Sequence, residues 1–244
     1  MIIKPRFTTS WSNAPTGATA VVQEVCSFLA ETYPLAPIQL HITVGWGFVG
    51  NMPMQSSAVG ESLTSHATFT YAQVRTALLA IGNVGATTLP PTDPLNRAMW
   101  IVPAQAKALG LMPPKIGSDG HVGFQGNVST QIGTVPAPGV IDFYGLVAHE
   151  ITEVMGRSIH NSGFATVLDL FHYSAPNVMA NSIGGYFSTD VGNTIGNTFD
   201  TNPNFDAGDW FGNTPDAFNG FVAGGQINPI SAVDLTLLSA LGYR

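Results

Sequence analysis

From Asp142 to Arg157 the chain reads as a helix with two unlike faces. At about 100° per residue, Tyr144, Val147, Ile151, Val154 and Met155 fall on one apolar stripe. Asp142, Gly145, Leu146, His149, Glu153 and Gly156 fall on the opposite side. Such a stripe has to be laid on a core, so the rest of the chain is constrained to provide one. His149 and Glu153 then point the same way from a helix whose back is buried. Glu150 projects to the side of that pair, about 100° around from His149.

The segment His149-Glu-Ile-Thr-Glu153 has the layout of a zinc-hydrolase helix with one substitution. In H-E-x-x-H, the two His hold the metal and the Glu between them is general base. Here Glu153 replaces the second His. Zinc accepts carboxylate oxygen as well as imidazole nitrogen, so the pair is chemically admissible. A second anionic ligand leaves a bound water less acidic than in an all-His site. Two bland alternatives compete. The polar residues of the helix can simply face solvent, or Glu153 can pair with Arg157 one turn on.

A metal also needs a third protein ligand. Gly156 stands three residues after Glu153, where metzincin-type proteases, H-E-x-x-H-x-x-G-x-x-H, turn to bring in a third His. That position holds Ile159 here, with His160 following it. His160 ranks first as third ligand, Asp169 close behind and His172 last.

Composition narrows the function classes. The 244 residues are 45% hydrophobic and only 9% charged, with 8 Lys plus Arg against 15 Asp plus Glu, a net charge of −7. No basic patch exists to grip a polyanion, which argues against nucleic-acid binding. Few Lys with many Gly, Asn and Thr suits an exported bacterial protein. No run of 18 or more apolar residues is present, so no membrane span is expected. Met1-Ile-Ile-Lys-Pro-Arg6 lacks the apolar region of a signal peptide. A secreted chain would have lost its signal or would use another route; otherwise there is no export. The one cysteine, Cys26, lies in an apolar helical pattern and reads as a small core residue.

The remaining elements follow from period and punctuation. Residues 1–8 suggest a strand placed at an edge by Pro5. Ala18 to Tyr33 reads as an amphipathic helix stopped by Pro34. Ile38 to Val44 alternates as a strand with His41 on its polar face. Residues 45–65 read as a loop, Tyr71 to Ile81 as a helix, Ala98 to Val102 as a strand and Pro103 to Leu109 as a short helix. His121–Gln125 and Gln131–Val135 look like two strands. Residues 180–230 form a long turn-rich region. Ser231-x-x-Asp234 opens a last helix, Ala232 to Leu241, as a capping box.

Several segments together resemble a family of predicted bacterial secreted zinc metalloproteases, distantly metzincin-like. They are His149-Glu-Ile-Thr-Glu-Val-Met-Gly-Arg157, Leu168-Asp-Leu-Phe-His-Tyr-Ser-Ala-Pro176, Asp206-Ala-Gly-Asp-Trp210, Pro215-Asp-Ala-Phe-Asn219 and Asp234-Leu-Thr-Leu-Leu-Ser-Ala-Leu-Gly-Tyr243. Upstream, Val102-Pro-Ala-Gln-Ala-Lys-Ala-Leu-Gly-Leu111 is also familial. The resemblance implies a zinc-dependent hydrolase fold with the ligand helix near its centre. Glu153 in place of a second His and the lack of His at position 159 are its departures from metzincins.

The expectation is therefore one α+β domain over 1–244, metzincin-like, with a small mixed sheet, a central metal-ligand helix and a C-terminal helix. It acts as a secreted zinc-dependent peptidase on protein or peptide substrates. His149 and Glu153 bind zinc with His160 or Asp169, and Glu150 is the catalytic base. A strand between Gly120 and Val135 pairs with the extended peptide, as edge strands can. Asp200, Asp206 and Asp209, set among Asn and Gly, are candidates for calcium. The rival is a non-catalytic secreted binding or structural module that keeps the same fold.

Overall fold

The strand Gln39–Trp46 is hydrogen-bonded along both edges and forms the spine of a four-stranded sheet. On one side runs Ile2–Phe7, parallel, with Ile2 opposite Gln39 and Phe7 opposite Val44. On the other runs Gly120–Phe124, also parallel, and beyond it Gly60–Leu63, antiparallel, with Gly60 opposite Phe124. The description rests on a computed structural model and covers all residues except 114–116, 161–162, 213 and 221–222.

Two helices fill the space beside this sheet. Helix α1, Ala18–Thr32, buries Val21, Val22, Val25, Cys26 and Leu29. Burial pushes the Cys26 thiol up to about 12, which leaves it an inert core group. Helix α2, Tyr71–Ala80, packs against the strand Ala98–Ile101, which leads into helix α3, Pro103–Ala108. Helix α4, Phe143–Val154, packs on α1 and on the strands Gly60–Leu63 and Gly120–Phe124. Its C-terminal turn comes so close to the sheet that a Cβ on Gly120 would sit 2.6 Å from a methyl of Val154. All of α4 except Tyr144 is buried, so its polar side is covered by protein and does not face solvent.

A second sheet joins Ala67–Phe69, antiparallel, and Phe164–Ala165, parallel, to the two edges of Ala98–Ile101. Helix α5, Ala232–Ala240, starts at Ser231 with the capping box read from the sequence. It ties the chain ends together. Tyr33 Oη donates to Leu235 O at 2.7 Å, Gln105 Nε2 to Leu241 O at 3.0 Å and Tyr243 Oη to Met155 O at 2.8 Å. A single hydrophobic cluster extends from Ile3 to Tyr243. The architecture is mixed α and β, with several small sheets and five helices among the described residues.

Three readings change. Residues 45–65 are not one loop: they contain a hairpin, Phe48–Val49 with Met52–Pro53, and the strand Gly60–Leu63. Gln131–Val135 forms no strand; Ile132 and Val135 are exposed in turns, and the pairing instead joins Val128–Ser129 to Ile141–Asp142. Gly120–Phe124 is paired on both sides, so it offers no edge to a peptide. The edge strands of this sheet are Ile2–Phe7 and, beside Gly120–Phe124, Gly60–Leu63.

Candidate metal centre

Asp142 fixes where α4 begins. Its Oδ1 accepts from Tyr144 N at 3.2 Å and its Oδ2 from Asn228 N at 2.9 Å, so the cap satisfies the helix and anchors a distant segment together. At the other end Gly156 adopts φ +104, a left-handed conformation suited to glycine. A Cβ there would also meet Gln105 Oε1 at 2.8 Å. The turn sends Arg157 back beneath the helix, where it is 1% exposed.

Arg157 is the hub of the polar cluster. Its Nε donates to Thr152 Oγ1 at 3.1 Å, Nη2 to Glu153 Oε1 at 3.1 Å and Nη1 to Asp209 Oδ1 at 2.5 Å. The guanidinium lies 4.5 Å from the centroid of the Phe218 ring. Glu153 therefore pairs with Arg157, the alternative raised from sequence. It does so without turning away from His149, because one carboxylate oxygen has more than one acceptor direction.

His149 is held at both ring nitrogens. Nδ1 lies 2.8 Å from Ala217 O, and a carbonyl can only accept, so Nδ1 carries a hydrogen. Nε2 faces Glu153 Oε1 at 3.1 Å and Asp209 Oδ1 at 3.4 Å. In the neutral ring Nε2 is then a lone pair aimed at two carboxylate oxygens. Three electron-rich atoms share such a space only around a cation, either a proton on Nε2 or a metal ion. Burial and the Arg157 charge pull the His149 pKa down, Asp209 and Glu153 pull it up, and the carboxylates win, at about 9. The spacing also suits a metal. Bonds of about 2.0–2.2 Å at tetrahedral angles set ligand atoms about 3.3–3.6 Å apart; the 3.4 Å separation lies in that range and the 3.1 Å one would open slightly.

Among the described residues, His149, Glu153 and Asp209 are the one group of His, Cys, Asp or Glu whose donor atoms all lie within 4.8 Å. This buried group can hold a metal ion. Glu153 keeps its charge: its own burial opposes this, but His149 and Arg157 hold the carboxyl down at about 2. Asp206, on the Asp209 side of the cluster, is pushed up to about 6 by the Glu153 charge first, then by burial and Asp209.

Glu150 is buried beside the pair, and its Oε2 has no hydrogen-bond partner. Burial first, then the Glu153 charge, raises its carboxyl well above the ordinary range. The strand Gly60–Leu63 makes the room it occupies: a Cβ on Gly60 would collide with Glu150 Oε1.

The other candidate ligands lie elsewhere. Asp169 Oδ2 accepts from Thr166 N at 2.7 Å, Thr166 Oγ1 at 2.9 Å and His160 N at 3.3 Å, which makes it the brace of a turn. The His160 ring packs edge-on against Trp100 and His66. His172 Nε2 contacts Gly184 O. The third member of the group is thus Asp209, and neither His160 nor Asp169 belongs to it. Nor do Asp200, Asp206 and Asp209 converge as a calcium site: Asp200 Oδ1 accepts from Asn202 N at 2.7 Å in a turn of its own. Asp209 was visible in the sequence as one of those turn-rich aspartates and within the segment Asp206-Ala-Gly-Asp-Trp210, with nothing to link it to His149.

No protein-family model, curated protein or solved structure matches the chain. Two surface grooves of about 400 and 420 Å³ flank Arg97, and none of their lining residues belongs to the His149 cluster.

Proposed function

We propose that the chain is a zinc-dependent peptidase, with His149, Glu153 and Asp209 as ligands and Glu150 as general base. The observation that carries this reading is the convergence of Glu153 Oε1 and Asp209 Oδ1 on His149 Nε2, at 3.1 and 3.4 Å, with Nδ1 committed to Ala217 O. Two anionic oxygens and one imidazole lone pair form a donor set that zinc accepts. Bound there, zinc supplies Lewis acidity toward a carbonyl oxygen and a water, and its charge favours ionised carboxyls nearby.

The protein's own residues supply the rest. Ala217 O fixes the His149 tautomer, and Arg157 holds both carboxylates in place. Glu150 lies beside the ligand face and not on it; its Oε2, buried and without a hydrogen-bond partner, would take a proton from a water admitted beside it and return it to the leaving amine. The free edge of Gly60–Leu63 runs past both groups. Gly60 abuts Glu150, and Ser62 lies close enough to Glu153 to help hold its carboxyl down. An extended peptide added to that edge brings its backbone past Glu150 and Glu153.

A second reading has its own support. His149 as imidazolium and Arg157, set against Glu153 and Asp209, make a charge-balanced buried quartet that needs no metal. Metal analysis of protein purified without added zinc, followed by assay against unfolded protein and a peptide library, separates the two. A bound zinc ion together with peptide cleavage is the expected result. Protein that takes up no zinc even when supplied with it leaves the ion-pair quartet as the correct account.

A further inference from the structure

The His149 ring is gripped from both sides by two neighbouring stretches of chain, Asp209 at Nε2 and Ala217 at Nδ1. These stretches are pinned to each other, Trp210 N donating to Phe218 O at 2.8 Å and Gly220 N to Trp210 O at 3.4 Å. What anchors the clasp to the body of the protein is the indole of Trp210. Its Nε1–H donates to Asp234 Oδ1 at 2.7 Å, in the first turn of α5. The other oxygen of Asp234 accepts from Ser231 N at 2.8 Å, so the carboxylate cannot swing. Trp210 and Asp234 are both buried.

We propose that Trp210 and Asp234 are positioning residues of the metal centre, their hydrogen bond setting Asp209 as the third ligand. This rests on the metal reading of the His149 cluster. The rings of Phe199, Phe187 and Phe218 surround the indole at centroid distances of 4.9, 6.2 and 6.4 Å. Those apolar contacts are non-directional and leave the direction of the indole N–H unspecified. The Nε1–H bond to a clamped carboxylate removes that freedom. Asp209 precedes Trp210 along the backbone, and its Oδ1 would have to lie about 2.0–2.2 Å from an ion that His149 Nε2 and Glu153 Oε1 also hold. Groups that orient a ligand from outside the coordination sphere are worth about 10–100-fold in metal affinity.

A plain structural role for the same bond predicts something different, namely a less stable α5 with an unchanged metal site. Ser231 provides the control, because its Oγ accepts from Asp234 N at 3.4 Å and caps the same helix without touching Trp210. The experiment titrates full-length parent, Trp210→Phe, Asp234→Leu and Ser231→Ala with Co²⁺, reading affinity and the visible ligand-field spectrum. Trp210→Phe keeps the aromatic packing and removes the donor; Asp234→Leu removes the acceptor at similar size. Each is expected to lose about tenfold or more in Co²⁺ affinity and to shift the spectrum. Ser231→Ala, which leaves both members of the Trp210–Asp234 bond in place, is expected to bind as the parent does. Either of the first two variants, if folded, suffices. Parental affinity and spectrum in Trp210→Phe or Asp234→Leu overturns the proposal while leaving the metal centre standing. A parent that binds no Co²⁺ removes the metal centre and this inference with it.

Discussion

Arg157 Nη1 and Asp209 Oδ1 meet at 2.5 Å, on the same oxygen that lies 3.4 Å from His149 Nε2. The guanidinium thus offsets one of the two carboxylate charges, touching the same oxygens that face the imidazole. Removing one partner of a buried ion pair costs about 3–5 kcal/mol, because the other charge stays buried alone. Arg157→Leu strands both Glu153 and Asp209. It is expected to lower the melting temperature of metal-free protein by roughly 10 °C, given about 2–4 °C per kcal/mol for a chain of this size. Saturating zinc, by supplying a new positive partner, restores part of that loss. A melting curve of Arg157→Leu that zinc leaves unmoved speaks against zinc binding between these carboxylates.

The identity of the third ligand can be read by exchange. Asp209→Asn keeps the shape and removes the charge, so zinc affinity falls steeply. His160→Ala and Asp169→Asn leave it unchanged, because neither residue belongs to the His149 group. Asp169→Asn still destabilises the protein, since its carboxylate accepts two hydrogen bonds from Thr166 and one from His160 N. Isothermal titration with zinc across the three variants decides the assignment, and loss of binding in His160→Ala would return that residue to the site.

Helices α1, α2, α4 and α5 were legible because each repeats apolar residues at helical spacing between recognisable ends. His149, Glu150 and Glu153 were legible for the same reason: one helix fixes their mutual directions by spacing alone. Asp209 was not, since it reaches the site across a turn-rich region whose fold depends on Trp210 packing among phenylalanines. Gly60-Glu-Ser-Leu63 carries no alternation and one apolar side chain; it becomes a strand by pairing with Gly120–Phe124. Gln131–Val135 has the β-branched residues of a strand but no partner to pair with. His41 shares its strand face with half-buried Gln39 and Thr43, and its Nε2 lies 2.6 Å from Gln39 Nε2, so it is a hydrogen-bonded residue of the polar face as the alternation implied.

Glu150 and Gly60 make a paired test of the base. Glu150→Gln keeps size and removes proton transfer, which costs on the order of 10²–10⁴ in rate. Zinc affinity in that variant stays near the parent's. Gly60→Ala leaves Glu150 chemically intact but puts a methyl where Oε1 sits, so the carboxyl has to move. Peptide turnover is expected to fall in both, with zinc retained in both. Full turnover in Glu150→Gln rules that residue out as base.

The charge on His149 links metal, proton and stability. In zinc-free protein its folded pKa is about 9, against 6.5 for the unconstrained side chain. A folded pKa above the unfolded one means that the folded state binds the proton more tightly. The resulting stabilisation is complete below pH 6.5 and is lost as pH rises through about 9. Over that window it amounts to on the order of 3 kcal/mol at full burial. Asp234 acts in the same direction but lower: burial first, then the Asp216 charge, raises it from 3.8 to about 7. Asp234→Asn therefore flattens the lower part of the stability profile and leaves the part from pH 7 to 9 to His149. Zinc takes the position of the Nε2 proton, so its affinity rises with pH across the same upper range, by up to tenfold per unit while one proton is displaced. Denaturant melts from pH 5 to 10, without zinc and with it, measure both effects. Zinc-free stability that is level from pH 7 to 9 in Asp234→Asn, together with a pH-independent zinc affinity, means that His149 holds no proton between Glu153 and Asp209.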